Sequence, residues 1–186
     1  MVLAKRLNHH NQALILSYAV RSFCMGDNFM PALNHRLQQT IIDADGRYLT
    51  SDELRPLETY FETYQKRLEV YQQISQHSNA LVLAALKKFA RVHPDVIQKS
   101  GKRCQFDMTQ VLRYIALSIL LDDEFMFQEK MMFWLDTMLR AHRKQEVCAK
   151  AYHYLQEVIQ ETMSVTVNEM VRPFITLVSE SLQPYR

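Results

Sequence analysis

Residues 104–114, which read CQFDMTQVLRY, combine a thiol and a carboxylate with a strongly helical pattern. On an α-helix, residues three positions apart lie on one face, so Cys104 and Asp107 are predicted to point into the same space. A thiol can carry a covalent ligand, and a nearby carboxylate can accept hydrogen bonds from ligand N–H groups. Taken alone, this pattern is more typical of a core cysteine beside a capping aspartate.

The helical pattern extends outward from this segment over almost the whole chain. Only 3 Gly and 5 Pro occur among 186 residues, which favours long helices over strands. Thr50 and Glu53 form a capping-box pattern, Pro94 predicts a helix boundary at His93, and the pair Ser100-Gly101 predicts a second boundary. The predicted helices cover residues 11–24, a segment after Pro31, residues 51–92 with a bend near 63–66, and residues 102–121, 122–141, 145–163 and 168–182.

The segment 104–114 resembles the chromophore helix of phycobiliproteins, which are globin-like, bilin-binding antenna subunits. That helix reads C-L-R-D followed shortly by L-R-Y, and Cys104, Asp107 and the triplet Leu112-Arg113-Tyr114 have the same spacing. Upstream, residues 44–54 (ADGRYLTSDEL) are similar to the family's N-terminal helical hairpin, and further matches continue in order over about residues 36–182. The resemblance implies an all-α, globin-like fold over residues 34–186. Residues 1–33 are then an extension that adds an N-terminal helix.

The resemblance also implies the residues of a pigment site. Cys104 matches the cysteine that forms a thioether to a linear tetrapyrrole of the phycocyanobilin type, and Asp107 matches the aspartate that holds the central pyrrole nitrogens. The family's arginine just before that aspartate, which binds a propionate of the bilin, is replaced here by Phe106. Lys102 and Arg103 are therefore the candidate cationic partners of the pigment.

Two departures from the family concern the surroundings of this site. The connection from Pro94 to Cys104 lacks the family's covering loop, which predicts a pocket that is either more open or collapsed. The three cysteines, Cys24, Cys104 and Cys148, show neither a C-x-x-C pattern nor zinc spacing, so no disulfide framework and no metal site are predicted. Cys148 does not correspond to the second bilin cysteine of some members, because the loop that carries that cysteine is reduced to residues 164–167.

Subunit pairing is the second implication of the resemblance. In the family, two subunits pair through their hairpins, and an aspartate of one meets an arginine of the other. Asp43 and Arg113 match these positions, with Tyr48 and Tyr114 nearby. The alternative is a salt bridge between Asp43 and Arg113 within one chain. Residues before Asn34 could modify this interface or block higher assembly.

Composition excludes several function classes. The net charge of +2 comes from interspersed charges of both signs, so a nucleic-acid surface is not indicated. The apolar run at residues 13–23 is too short to span a bilayer. The sequence shows no nucleophile beside a base, no glycine-rich phosphate loop and no paired catalytic carboxylates, so an enzyme is not expected.

Two functions remain from the sequence. The first is a light-harvesting subunit that carries a covalent bilin in a phycobilisome-type antenna. The second is a chromophore-free paralogue that acts in phycobilisome assembly, turnover or signalling. Both predict a cytoplasmic protein, which can also lie on the stromal or cytoplasmic face of thylakoid membranes. Its expected partners are another phycobiliprotein-like subunit, a phycobilisome linker or a lyase.

Overall fold

The structure, a computed structural model, describes residues 34–135 and 145–182, and all regular structure in these residues is helical. This confirms the predicted all-α fold class. The predicted extension over residues 1–33 and its helix lie outside the described residues. The helices are α1 (His35–Asp43), α2 (Ser51–Val92), α3 (Pro94–Leu121), α4 (Glu124–Phe127), α5 (Gln145–Thr162) and α6 (Val165–Ser181), with a π-helical turn at Gln128–Met132 after α4.

Helix α1 is fixed to the corner that follows α3. The Asn34 side chain caps α1 by accepting a hydrogen bond from the Leu37 N–H at 2.9 Å. The same side chain donates from Nδ2 to the carbonyl oxygens of Leu121 and Asp122, at 3.2 and 3.3 Å. The backbone N–H of the next residue, His35, donates to the Asp123 carboxylate at 2.8 Å. One short polar segment therefore anchors the N-terminal hairpin, which consists of α1 and the start of α2.

Helix α2 is 42 residues long and uninterrupted. It begins with the predicted capping box, in which Thr50 and Glu53 each bond the backbone of the other. It ends where Pro94 forces His93 out of the helical region, to φ −128° and ψ 61°. The helix continues without interruption through residues 63–66, where a bend is predicted, and this stretch contains neither glycine nor proline. At 1.5 Å per residue, α2 is about 60 Å long.

Helix α3 passes through Gly101, so the predicted break at Ser100-Gly101 is wrong. A single glycine in a helix interior costs about 1 kcal/mol relative to alanine. Burying one large apolar side chain contributes about 1.5–3 kcal/mol, and α3 buries several, including Leu112 and Ile115. The free energy gained by burying one face of α3 is therefore larger than the cost of the glycine. The helix ends at Asp122, which adopts the left-handed conformation with φ 54°.

Helices α5 and α6 each differ from the prediction at one boundary. Helix α5 ends at Thr162, one residue before the predicted end at Met163. Helix α6 begins at Val165 rather than Asn168, because the Ser164 hydroxyl accepts a hydrogen bond from the Val167 N–H at 3.4 Å and caps the first turn. The β-branched residues there cost less than about 0.7 kcal/mol each and do not prevent a helix. The predicted helix 122–141 is found as α4 with its π-helical turn and a helical continuation to residue 135, and residues 136–144 lie outside the described part.

The hydrophobic core lies among α2, α3, α5 and α6. Its members are fully buried aliphatic and aromatic side chains from all four helices. Among them are Ile74, Val82, Phe89, Val111, Leu112, Ile115, Leu155, Ile159, Val171, Ile175 and Val178. The buried residues of α3 begin at Met108, so the predicted pigment residues Cys104 and Asp107 lie just before the part of α3 that enters the core.

Candidate functional site

A small pocket lies between α2, α3 and α5, and Cys104 and Asp107 both line it. The two residues are three positions apart on α3 and both are half-buried. The structure therefore places the thiol and the carboxylate in one space, as their helical spacing predicts. The remaining lining residues are mostly apolar: Phe89, Val96, Met108, Leu135, Val147, Cys148, Ala151 and Tyr152.

The Asp107 carboxylate is held by a neighbouring cation. The Arg103 Nε lies 3.0 Å from this carboxylate, in an ion pair between residues four positions apart on α3. Arg103 therefore faces Asp107, whose side chain is 19% exposed. Lys102, the other candidate cationic partner, is exposed on the helix surface.

Two lining residues from α5, Cys148 and Tyr152, were not among the predicted site residues. Burial raises the pKa of Tyr152 well above its ordinary value, and the nearby Cys148, Asp107 and Cys104 raise this pKa further. The Tyr152 phenol is therefore neutral at physiological pH. Cys148 and Tyr152 are four positions apart, so their helical spacing alone could have grouped them on one face.

Phe106 lies outside this pocket and is 46% exposed. At the position of the family's propionate-binding arginine, the surface is therefore apolar. A ring cannot form the charge-assisted hydrogen bonds that a guanidinium forms with a carboxylate. Phe106 therefore offers no cationic partner to a carboxylate.

The volume of the pocket is about 30 Å³. Pockets for drug-sized ligands measure about 300–1,000 Å³, and this cavity is on the order of the volume of one water molecule in the liquid. Of the two outcomes predicted for the short connection between Pro94 and Cys104, the structure has the collapsed one. The thiol and carboxylate match the chemistry of a linear tetrapyrrole, but such a molecule enters only when the pocket walls separate.

The predicted pairing residues lie on the surface of the hairpin and α3. The Asp43 carboxylate accepts a hydrogen bond from Gln39 Nε2 at 2.8 Å, and Tyr48 is 97% exposed. The exposed Arg113 guanidinium lies 5.4 Å from the centre of the Tyr114 ring. Within residues 34–135 and 145–182, Asp43 and Arg113 form no ion pair with each other. The intrachain alternative is therefore not realised in this structure.

The hairpin also exposes large apolar side chains. We call this set the hairpin face, and it consists of Ile41, Ile42, Tyr48, Leu54, Phe61 and Tyr64. Leu54, Phe61 and Tyr64 are seven and three positions apart, so they share one side of α2. Several exposed apolar side chains on one side of a helix are typical of sites of protein association. Sequence reasoning did not single out Phe61 or Tyr64, because burial cannot be read from a helical pattern.

No helix in the described part of the chain is both long and apolar enough to cross a membrane. In the same residues, no group of three or more histidine, cysteine or acidic side chains could hold a metal ion.

Comparison with known proteins places these features in a family. The allophycocyanin alpha-B chain of Cyanidium caldarium is 33% identical, over 47% of this chain and 60% of that protein. The C-phycocyanin beta chain of Galdieria sulphuraria is 27% identical, over 47% of this chain and 56% of that protein. The chain thus spans about 60% of the length of the curated relatives it matches. The sequence profile of the phycobilisome protein family matches residues 40–182, most of the chain, and the chain therefore belongs to that family.

Proposed function

We propose that this chain is a non-catalytic, light-harvesting subunit of a phycobilisome-type antenna and that it carries a linear tetrapyrrole on Cys104. The observation that carries the proposal is the placement of the Cys104 thiol and the Asp107 carboxylate in one pocket. Membership of the phycobilisome protein family and the similarity to allophycocyanin and phycocyanin chains support it.

Each polar residue of the pocket has a proposed task. When bound, a bilin of the phycocyanobilin type supplies absorption of visible light and transfer of excitation. The Cys104 Sγ holds it through a thioether, and the Asp107 carboxylate accepts hydrogen bonds from pyrrole N–H groups and favours their protonated form. Arg103, only 3.0 Å from Asp107, is close enough to bind a propionate in place of the missing arginine.

Pigment binding requires that the pocket widen. Its walls include the buried core residues Phe89, Met108 and Leu135, together with the partly buried Val147. The Arg103–Asp107 pair is partly exposed, and ion pairs of this type contribute only about 0–1 kcal/mol. Rearranging that pair therefore costs little compared with separating apolar walls.

The proposed partner is another phycobiliprotein-like subunit that covers the hairpin face. The exposed Phe61 and Tyr64 give this surface its apolar area, and Asp43 and Arg113 would set the orientation of the two chains across the interface. A phycobilisome linker or a lyase is a further proposed partner. The proposed location is the cytoplasm or the cytoplasmic or stromal surface of thylakoids.

One observation favours a second function, that of a chromophore-free paralogue in antenna assembly, turnover or signalling. The pocket volume of about 30 Å³ and the exposed Phe106 describe a site that is closed and lacks its propionate partner. In that case the hairpin face is the functional surface, and Cys104 is a helix thiol.

Co-expression with a bilin pathway and a suitable lyase separates the two functions. A pigmented subunit gives visible absorbance and a zinc-enhanced fluorescent band that survives denaturation. The Cys104→Ala variant should lose this band and keep its helical circular dichroism, whereas the Cys24→Ser control should keep both. The Asp107→Asn variant should retain the band but show weaker long-wavelength absorbance, and Phe106→Arg should increase pigment retention. Wild-type protein that stays colourless with abundant bilin and lyase decides for the chromophore-free function.

A further inference from the structure

Two thiols from different helices line the same small pocket. Cys104 lies on α3 and Cys148 lies on α5, both are half-buried, and both are present as thiols in the structure. Although they are far apart in sequence, the two cysteines therefore line one cavity of about 30 Å³, which is on the order of the volume of one water molecule.

The partial exposure of the two cysteines allows reaction with solutes. Because both cysteines are only half-buried, small oxidants in solution can reach them.

Position in the fold also allows the two sulfur atoms to approach. A disulfide forms only when the two Cα atoms come within about 4.4–6.8 Å of each other. Cys148 lies in the first turn of α5, which begins at Gln145. Helix termini fray and readjust at low cost, so any movement of Cys148 falls where the backbone is most easily displaced.

We infer that Cys104 and Cys148 form a redox pair, whose disulfide closes the pocket and withdraws Cys104 from pigment attachment. The oxidant is a low-molecular-weight disulfide such as oxidised glutathione. The Cys104 thiolate attacks one of its sulfur atoms and expels one glutathione thiolate. The Cys148 thiolate then attacks Cys104 Sγ in the mixed disulfide and expels the second. Two protein thiols are oxidised to one disulfide, one oxidised glutathione is reduced to two thiols, and the two protein protons pass to them.

The test uses the full chain in a Cys24→Ser background, which leaves only the two pocket cysteines. After equilibration with oxidised and reduced glutathione, the expected product has lost the mass of two hydrogen atoms, and a peptide joining Cys104 to Cys148 is recovered. The expected effective concentration of the pair is more than about tenfold higher in native protein than in guanidinium-unfolded protein. Further replacement of Cys104 or Cys148 by serine should leave a single thiol that takes one glutathione.

Two results overturn the inference. One is native protein that accumulates two glutathione adducts in place of the internal bond. The other is an effective concentration that is no higher in native than in unfolded protein. Circular dichroism of each variant shows whether it is folded. Replacing Cys148 both by serine and by alanine shows whether the result depends on the missing thiol or on the residue that replaces it.

The effect on pigment rests on the proposed function and is measured separately. Oxidised wild-type protein should not take up bilin until dithiothreitol is added, whereas Cys148→Ser should take it up equally in both states. Protein that forms the disulfide but stays colourless in both states refutes pigment binding and leaves the redox pair intact. Protein that is pigmented equally in both states, although the disulfide has formed, refutes the blocking role.

Discussion

The two ends of α2 differ in how far they bury a phenylalanine side chain. Phe61, in the first half, is 62% exposed, whereas Phe89, near the end, is 1% exposed. The end around Phe89 is covered by α3 and α5 of the same chain. Around Phe61, one side of the helix is exposed, although the neighbouring Tyr60 is buried. The end near Phe89 is therefore enclosed by its own chain, whereas the first half keeps an apolar side chain on the surface.

Arg67 marks the boundary between the two halves. Its buried guanidinium donates to the carbonyl oxygens of Leu120, at 2.6 Å, and of Tyr60, and it lies 4.1 Å from the centre of the Tyr60 ring. A buried charge persists only where hydrogen bonds satisfy it. This residue thus ties α2 to the end of α3 at the point where the core stops.

Replacing each phenylalanine by alanine tests the comparison most strongly. Phe89→Ala should lower the free energy of unfolding by about 3–5 kcal/mol, because it leaves a cavity in the core. Phe61→Ala should change it by less than about 0.5 kcal/mol in the monomer. Urea unfolding at low protein concentration, followed by circular dichroism, measures both. Equal losses for the two variants would show that the hairpin end is as fully packed as the core.

For association with a like subunit, we expect the variant in the hairpin, Phe61→Ala, to have a larger effect than Phe89→Ala. Phe61→Ala and Asp43→Arg should each weaken pairing by about tenfold to a hundredfold, and adding Arg113→Asp to Asp43→Arg should partly restore it. Sedimentation velocity over a range of concentrations measures the dissociation constant. The exposed Val165 on α6 offers a matched control, since Val165→Ala should leave pairing unchanged. If the Asp43 variants associate like the wild type, the hairpin is not the pairing surface.

Asn34 connects the hairpin to the rest of the molecule. Replacing it should lower the free energy of unfolding by less than Phe89→Ala does. Asn34→Ala removes the cap of α1 and both hydrogen bonds to the Leu121 and Asp122 carbonyls, so the free energy of unfolding should fall by about 1–3 kcal/mol. Asn34→Ser keeps a capping oxygen and should lose about half as much. Chemical unfolding compares the two variants. A serine variant as unstable as the alanine variant would assign the whole effect to the carbonyl contacts.

The smallest effect concerns the capping box at the start of α2. Hydrogen bonds from Arg47, followed by those from the Thr50 backbone and hydroxyl, lower the pKa of Glu53 to about 2. Because the folded-state pKa is depressed, the stabilisation is complete above the ordinary value of 4.5 and is lost as the pH falls towards 2.

Glu53→Gln should therefore be slightly less stable than the wild type at neutral pH, and the difference should disappear over that acidic interval. Unfolding experiments over a pH series measure it, with the exposed Glu58→Gln on the same helix as the control. A difference that stays constant with pH would mean that the ionised carboxylate does not contribute.

Local rules predicted the parts of the fold that depend on neighbouring residues. The capping box at Thr50 and the boundary at Pro94 depend on contacts within one turn, and both are confirmed. The break at Gly101 was wrong, because burial of a helix face outweighs one glycine. Cys148 was missed as a pocket residue because its neighbours lie on other helices, and no local pattern states which helix faces meet.

The one-residue connection at His93 has a consequence for the order in which the chain folds. Helices α2 and α3 are adjacent in sequence and, among the described helices, pack on each other more extensively than any other pair. Contacts between sequence neighbours require little loop closure, so this pair is expected to form first, with α5 and α6 docking onto it afterwards. Stopped-flow kinetics should then show Leu112→Ala slowing refolding, while Val178→Ala in α6 mainly accelerates unfolding. In a newly made chain, the pocket walls formed by α2 and α3 would then be in place before α5 adds the wall that contains Cys148 and Tyr152.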